Sequence, residues 1–377
     1  MKNSLYPSPV LLMARWLAQG GSERQLCEMA RALDRNRFQV HVGCLRAGGI
    51  RAHEIEAAKI PLTTFPLRSF WSPSGFYRSV RALRRYVRQH GIQVVHGFDL
   101  PTCLLIGLAA RWLRPAVVLT SQRYHQRQAT TPVARIGVQI SHRLADGIVV
   151  NCEAMREHLV VDERQRRDRI HLCYNGLDTR RFRRITAPSV GVAPEGALVV
   201  GTVCVLRPEK DLSTLLRAFA ACQAEDARLF LLVVGDGPER GRLELEAARL
   251  GISSRCRFQP GVADVVPFLS LMDVFVLPSR FEGLSNALLE AMACGCACIA
   301  SQVGGTPELV QHGETGFLFD SGDVPGLVGF LRRLIGDPAL RRRLGEQAVE
   351  RIRTGFTVET AAARLGAIYE EYMASRA

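Results

Sequence analysis

Apolar and polar positions along this chain follow two periods in turn. Short runs dense in Val, Leu, Ile and Cys are followed by longer segments whose apolar residues return every three or four positions. Val10–Met13, Gln39–Cys44, Gln93–His96, Val117–Thr120 and Gly147–Asn151 predict strands, and Arg24–Leu33 and Arg78–His90 predict helices. After Asp178 the pattern breaks. Pro188, Gly191, Pro194 and Gly196 fall close together there and mark a linker. The alternation then restarts with strand Leu198–Val205, helix Leu212–Cys222 and strand Arg228–Val234, which ends in the turn Gly235-Asp236-Gly237-Pro238. Helix Arg240–Leu250 follows, then strands Cys256–Gln259, Val274–Leu277 and Cys298–Ser301. Such alternation builds parallel sheets with helices on both faces. Two such halves predict an α/β chain of two doubly wound domains, with ligands at the carboxyl ends of the strands facing a shared cleft.

Composition narrows the function classes. At 377 residues the chain exceeds one ordinary core, and 47% hydrophobic with 23% charged residues excludes disorder as the main state. A net charge of +13 calls for an anionic partner: nucleic acid, acidic lipid or a phosphorylated small molecule. Nucleic acid fits poorly, because only 7% of residues are aromatic, the arginines are not interleaved with them, and no helix-turn-helix or zinc spacing occurs. No G-x-G-x-x-G follows the first strand, which argues against a dehydrogenase. The longest weakly polar stretch, Gly283–Ala300, carries Glu290 and reads as core, and the apolar run before Arg15 is too short for a signal peptide. The expected location is the cytosol. Eleven cysteines, an odd number scattered through apolar runs, read as reduced thiols. Cys294, Cys296 and Cys298 lack a second ligand pair, so no metal site is expected.

One segment carries most of the chemistry. After the strand ending at Leu277, a turn holds Glu282 and Gly283, and Ser285 or Asn286 is placed to cap the next helix. A glycine turn running into free helix N–H groups makes an anion site. Glu290 is the only charged residue between Gly283 and Pro307, on a helix apolar on nearly every side. A buried carboxylate needs partners, since leaving it alone costs several kcal/mol, on the order of the effective penalty for one ion. Either an arginine from another strand or the hydroxyls of a ligand such as a ribose would complete its shell. Glu282 and Glu290 stand at most roughly 12 Å apart along an ideal helix, a span that suits opposite ends of a nucleotide sugar.

The pair Glu282…Glu290 resembles the E-x7-E motif of retaining glycosyltransferases of family 4, which have the GT-B fold. Six further segments resemble that family in order and spacing: Gly20-Gly21-Ser22-Glu23-Arg24-Gln25, Asn175-Gly176-Leu177-Asp178, Arg207-Pro208-Glu209-Lys210-Asp211, Gly235-Asp236-Gly237-Pro238, Gly304-Gly305-Thr306-Pro307-Glu308 and Gly313-Glu314-Thr315-Gly316. The resemblance covers almost the whole chain. It implies two Rossmann-like domains facing a central cleft: an acceptor-binding domain at residues 1–185, a nucleotide-sugar domain at 195–355, and a terminal helix at 356–377 crossing back to the first domain.

By the same resemblance the chain is an enzyme of hexosyltransferase type. Glu290 would hold the ribose hydroxyls, Glu282 the donor sugar, and the backbone at Gly283, Leu284, Ser285 and Asn286 the distal phosphate. Lys210 would neutralise the departing diphosphate, Gly20 and Gly21 would face it from the first domain, and Val262 would pack the base. The donor, a UDP-sugar by family habit, is a co-substrate, and no cofactor or metal is implied; no Asp-x-Asp pair occurs. The reaction implied is retaining transfer to a hydroxyl of a glycan or lipid-linked acceptor. Two positions depart from the family. Val205 stands where it has an arginine, and Arg207 would substitute if the strand continued to it. Gln122 stands where a histidine often contacts the donor, and His125 would take over if the loop bent. These departures leave open a non-catalytic nucleotide-sugar binder, and the same fold also serves nucleotide-sugar epimerases.

The segment Arg78–Arg88 places Val80, Leu83 and Val87 on one helical face and five arginines around the rest. Two readings follow: docking to an anionic membrane, as a peripheral contact on its inner face, or a solvated helix whose stripe packs on its own sheet.

Overall fold

The computed structural model describes residues 6–18, 20–70, 72–123, 131–186 and 190–376. They form two compact units, Met1–Gly176 with Val358–Ala377, and Leu177–Thr357. The second unit thus begins near the break that the sequence pattern shows after Asp178, ahead of the 185 bound that the resemblance implied. The segment after Asp178 packs inside it for a physical reason. A helix leaves its last carbonyls without intrahelical partners. The Arg184 guanidinium supplies donors at such an end, giving hydrogen bonds of 3.0 Å to the Cys294 carbonyl and 2.8 Å to that of Met272, while the Ile185 amide donates to Ser270 Oγ at 3.0 Å.

The first unit is built on seven parallel strands: β1 (Ser8–Ala14), β2 (Phe38–Cys44), β3 (Leu62–Thr64), β4 (Val94–Gly97), β5 (Val117–Gln122), β6 (Gly147–Val150) and β7 (Ile170–Leu172). Their order in the sheet is β3-β2-β1-β4-β5-β6-β7. Successive strand residues face opposite sides of a sheet. Accordingly Val10, Leu12 and Ala14 join one buried cluster, and Leu11 and Met13 join another on the opposite face. Both faces are covered, which is why these strands read as unbroken apolar runs. The terminal helix Val358–Ala374 covers one face through Ala361, Leu365, Ile368 and Tyr369, and the Tyr369 hydroxyl lies 2.7 Å from His96 Nδ1.

The opposite face is covered by the helix Pro73–Gln89, whose first turn is capped by Ser72. Val80, Leu83 and Val87 are 5%, 0% and 3% exposed, packed among Leu11, Met13 and Phe65. The apolar stripe that suggested membrane docking is therefore core, and that reading of it is overturned. The arginines of this helix stay at the surface, together with Tyr77, which is 65% exposed. Outward-facing apolar residues occur instead on the helix Pro132–Leu144, where exposed Val133, Ile136, Ile140 and Leu144 follow a spacing that keeps them on one side. Among the described residues no helix is long and apolar enough to cross a membrane.

The second unit holds six parallel strands: β8 (Leu198–Val203), β9 (Leu229–Val234), β10 (Cys256–Gln259), β11 (Val274–Leu277), β12 (Ala297–Ser301) and β13 (Phe317–Phe319). They are ordered β10-β9-β8-β11-β12-β13. In both sheets chain order reverses direction once, between β1 and β4 in the first and between β8 and β11 in the second. Loops leaving the two strands at such a reversal diverge and leave a crevice at the strands' carboxyl ends, where doubly wound sheets take their ligands.

Candidate functional site

The reversal in the second unit brings together the loops after β8 and β11. β8 ends at Val203, two residues earlier than its apolar run predicts. The chain is turned there by its neighbour. The Leu206 amide donates to the Asp236 carbonyl at 2.9 Å, and the Glu239 amide to the Leu206 carbonyl at 3.0 Å. Gly235, at φ +140°, allows this approach, because a Cβ there would fall 1.8 Å from the Cys204 carbonyl oxygen. Arg207 is therefore not on the strand face that would have let it replace the missing arginine at Val205. It lies beyond the strand, largely exposed, its guanidinium 3.8 Å from Glu209.

A short 3₁₀ turn, Pro208–Lys210, leads into Asp211, held in the left-handed region at φ 45°. This turn is fastened to the loop after β11 at three points. The Arg280 amide donates to the Glu209 carbonyl at 2.8 Å, the Arg280 guanidinium approaches Asp211 Oδ2 at 3.2 Å, and Lys210 Nζ lies 2.6 Å from Glu282 Oε1. Ser279 Oγ donates to that same glutamate oxygen at 2.7 Å. Burial pulls the Lys210 ammonium toward losing its proton, but the charge of Glu282 and the hydrogen bond to it outweigh burial, so the lysine is held above its ordinary value. Two further Nζ protons remain for a ligand.

Glu282 and Gly283 are backed by the loop after β12. The Gly305 amide donates to the Gly283 carbonyl at 2.9 Å, and Gly304 sits at φ +52°, where a Cβ would meet the Glu282 carbonyl oxygen at 2.0 Å. Ser285 then caps the helix Asn286–Ala293, its hydroxyl accepting from the Leu288 amide at 3.4 Å. Leu284 is buried, and Glu290 is 4% exposed on this helix among Leu288, Leu289, Ala291 and Met292. On the other side of β8, the ends of β9 and β10 are tied through Asp236, which accepts from the Gly261 amide at 2.8 Å and pairs with Arg240 at 2.6 Å. That fixes the backbone leading into half-buried Val262.

In the first unit, the reversal brings the loop after β1 to the residue after β4. Gly20 starts the helix Gly21–Ala32, where a Cβ would overlap the Glu23 carboxylate at 2.1 Å. Asp99 caps the helix Leu100–Leu108, accepting from the Thr102 amide at 3.0 Å, and also receives the Arg15 amide. Burial raises both Glu23 and Asp99 above the usual carboxylate range, and for Glu23 the Asp99 charge adds to it. Gln25 exchanges two 3.0 Å hydrogen bonds with the Gly176 backbone, so the glycine loop's helix and the Asn175-Gly176 segment stand side by side.

Gln122 is not poised at this end. It is 2% exposed, 3.0 Å from His142 Nε2 and 3.5 Å from Glu163 Oε1, and His142 in turn lies 2.8 Å from Thr120 Oγ1. His125 lies outside the described residues. The residue that sequence reasoning missed is Arg123, next along the chain. It faces away from that network toward Phe98 and Asn175, and strand parity from Thr120 and Gln122 was the signal for it. The eleven cysteines are free, and the Cys296 and Cys298 thiols point at the carbonyls of Leu269 and Cys296.

Residues 19–181 match the model of Glycosyltransferase Family 4, and residues 184–351 that of Glycosyl transferases group 1. The chain carries two glycosyltransferase domains. It is similar to the N-acetyl-alpha-D-glucosaminyl L-malate synthase of Bacillus anthracis, 34% identical over 54% of this chain and 54% of that protein. It is likewise similar to the lipopolysaccharide core biosynthesis glycosyltransferase LpsE of Rhizobium meliloti (strain 1021), 34% identical over 44% and 48%. The chain thus spans about half the length of the curated relatives it matches. In fold it resembles HepE of Anabaena, solved with UDP and glucose, at a TM-score of 0.83 and 22% identity, covering 96% of this chain and 99% of that one. The two glycosyltransferase domains share the GT-B fold of these neighbours.

Proposed function

We propose that this protein transfers a hexosyl group from a UDP-sugar to a hydroxyl of a glycan or lipid-linked acceptor, with retention at the anomeric carbon. The observation that carries the reading is the Lys210–Glu282 contact at the strand reversal of the second unit, next to the capped start of the helix that bears buried Glu290. UDP and glucose in HepE support the choice of donor class, and the glycosyltransferase named in LpsE supports the reaction type.

The chemistry follows from charge. Cleaving the bond between the anomeric carbon and the phosphate oxygen leaves the electron pair on the diphosphate. Groups that hold this charge more tightly than the intact donor lower the barrier. Lys210 supplies a cation, and Leu284, Ser285 and Asn286 supply N–H donors beyond the Gly283 turn, while Gly20 and Gly21 offer the same at the first unit's glycine loop. Glu282 takes a sugar hydroxyl, Glu290 the ribose hydroxyls, and Val262 backs the base. The acceptor hydroxyl attacks the anomeric carbon from the side the diphosphate leaves, and its proton passes to the departing phosphate oxygen. Arg207, at the mouth of the β8 loop, adds charge at longer range. No divalent metal takes part in this scheme, so activity survives a chelator.

We also include an anionic membrane surface among the partners. The arginines of the helix Pro73–Gln89 provide the attraction, and the exposed apolar side of the helix Pro132–Leu144 provides the insertion.

The test is to incubate purified protein with a panel of nucleotide sugars and candidate acceptors and to follow release of free nucleotide diphosphate. Acceptor-dependent release supports transfer. Epimerised donor without any acceptor, or tight donor binding with no turnover toward any acceptor, overturns it.

A further inference from the structure

Arg123 follows β5 and is 9% exposed. Its Nη1 donates to Asn175 Oδ1 at 2.9 Å, and its guanidinium carbon lies 4.7 Å from the centre of the Phe98 ring. Its Nε is sealed from solvent with no acceptor among the described residues. Neither the amide nor the ring carries a countercharge. The undescribed stretches contain no Asp or Glu, the neighbouring one reading Tyr-His-Gln-Arg-Gln-Ala-Thr, and none of the described carboxylates forms an ion pair with Arg123. Partly buried cations of this protein are treated differently: Lys210 has Glu282, and Arg51 has Glu54 at 2.7 Å.

A guanidinium removed from water with only neutral company is strongly disfavoured. Burial pushes Arg123 below the ordinary arginine value, and a guanidinium stays charged in proteins. The surroundings suit a ligand. Asn151, just past β6, donates to the Arg123 carbonyl and to Asn175 Oδ1, each at 3.5 Å, and its own Oδ1 is buried without a partner among the described residues. Phe98 follows β4, and Asn175 lies beyond β7. All four residues therefore gather at the carboxyl ends of β4 to β7, the end of the sheet at which α/β units bind small molecules.

We infer that Arg123 anchors an anion-binding site in the first unit, taking a carboxylate or phosphate group of a small substrate in the planar, two-pronged manner of guanidinium. Asn151 Oδ1, an acceptor, takes a hydroxyl that the same substrate carries beside its anionic group, while Asn175 Oδ1 and Phe98 hold the guanidinium in place. The site contains none of the residues assigned to the donor in the second unit, so its existence does not depend on the transfer reaction. The anion comes either from the donor's diphosphate or from the acceptor itself.

The experiment is thermal unfolding of the full chain, with ionic strength balanced by chloride, in the presence of malonate, inorganic phosphate or UDP. Wild type is compared with Arg123→Met and Arg123→Lys. The expected result is a midpoint rise with malonate or phosphate in wild type that is absent from Arg123→Met and needs about tenfold more anion in Arg123→Lys. Unliganded Arg123→Met is expected to be at least as stable as wild type, because an uncompensated buried charge has gone. A UDP-induced rise lost in Arg123→Met, with no response to the small anions, assigns the site to the donor; the converse assigns it to the acceptor. Equal responses in wild type and both variants, or no response in wild type together with a destabilised Arg123→Met, overturns the inference and leaves Arg123 as a strut between Phe98 and Asn175. Should Arg123→Met fail to fold, the wild-type to Arg123→Lys comparison decides alone.

Discussion

Lys210 Nζ lies 2.6 Å from Glu282 Oε1, and this contact joins the loop after β8 to the loop after β11 across the strand reversal of the second unit. Each residue fixes the other before any ligand arrives, which is the preorganisation that a charge-stabilising site requires. The contact also makes the two residues energetically dependent.

Lys210→Ala should lower the transfer rate by about two orders of magnitude, the scale for losing one charge-stabilising group. It also leaves the Glu282 carboxylate facing donor phosphates without its cation. Adding Glu282→Ala removes that repulsion, so the double variant should bind UDP at least as well as Lys210→Ala alone, a non-additivity expected of residues in contact. Calorimetric UDP affinities check this. Strictly additive losses would show that the two act separately.

On the proposed role of Glu290 in holding the ribose hydroxyls, Glu290→Ala should also cost about two orders of magnitude in rate. Uridine affinity, measured apart from UDP-sugar turnover, locates the loss at the ribose. Near-normal turnover in both Glu290→Ala and Lys210→Ala would defeat the assignment of roles.

How much of this was legible in the sequence differs by feature. Strands such as Val10 to Met13 and Val274 to Leu277 were readable because they are buried on both faces and carry no polar alternation. Three-residue edge strands such as Leu62–Thr64, Ile170–Leu172 and Phe317–Phe319 are too short to show a period. The Glu282 turn and the helix cap at Ser285 were readable because glycine and serine mark backbone conformation directly. Where β8 stops was not readable, since it is set by Gly235 and Asp236, some thirty residues away in sequence, pressing on Cys204 and Leu206. Arg123 escaped notice for a related reason. Strand parity places it on the side of β5 away from Gln122, but its significance comes from Phe98, Asn151 and Asn175, which surround it there.

Gly304→Ala tests whether the Glu282 turn depends on its backing. A Cβ at φ +52° would sit 2.0 Å from the Glu282 carbonyl, so the turn must shift and carry its side chain off Lys210. Stability should fall by more than ~1 kcal/mol, the scale for adding a side chain where the backbone is incompatible with one. UDP affinity should fall as well. A variant that unfolds normally and binds UDP normally would show that the turn is held by other means.

The membrane contact makes a prediction separable from catalysis. Ile136→Asp with Ile140→Asp places charge on the exposed side of the helix Pro132–Leu144 without touching the buried cluster. Flotation with vesicles containing phosphatidylglycerol should capture the wild-type chain at low salt and lose most of it with this double variant. Neutral vesicles should capture little of either, because the arginines require negative lipid. Capture that is indifferent to both lipid charge and these substitutions would remove the membrane from the list of partners.

His158 and His142 stand at two ends of one buried polar network and should give stability opposite pH slopes. The hydrogen bond to Glu163 raises His158 above 6.5, with burial opposing it and Asp162 adding to it. Its protonated form is thus favoured by folding, so its stabilisation is complete below pH 6.5 and fades as pH rises through the raised value. His142 is pushed down to about 4 by burial, so its neutral form is favoured by folding. Its contribution is complete above pH 6.5 and is lost as pH falls toward 4. Urea unfolding of wild type and His158→Gln should therefore differ most at pH 6 and converge above the raised value. Wild type and His142→Gln should differ most above pH 6.5 and converge on the acid side. Glu163 links the two ends through Gln122 at 3.5 Å, so Glu163→Gln should flatten the His158 slope. Parallel pH profiles in wild type and both histidine variants would show that neither ring changes its protonation on folding.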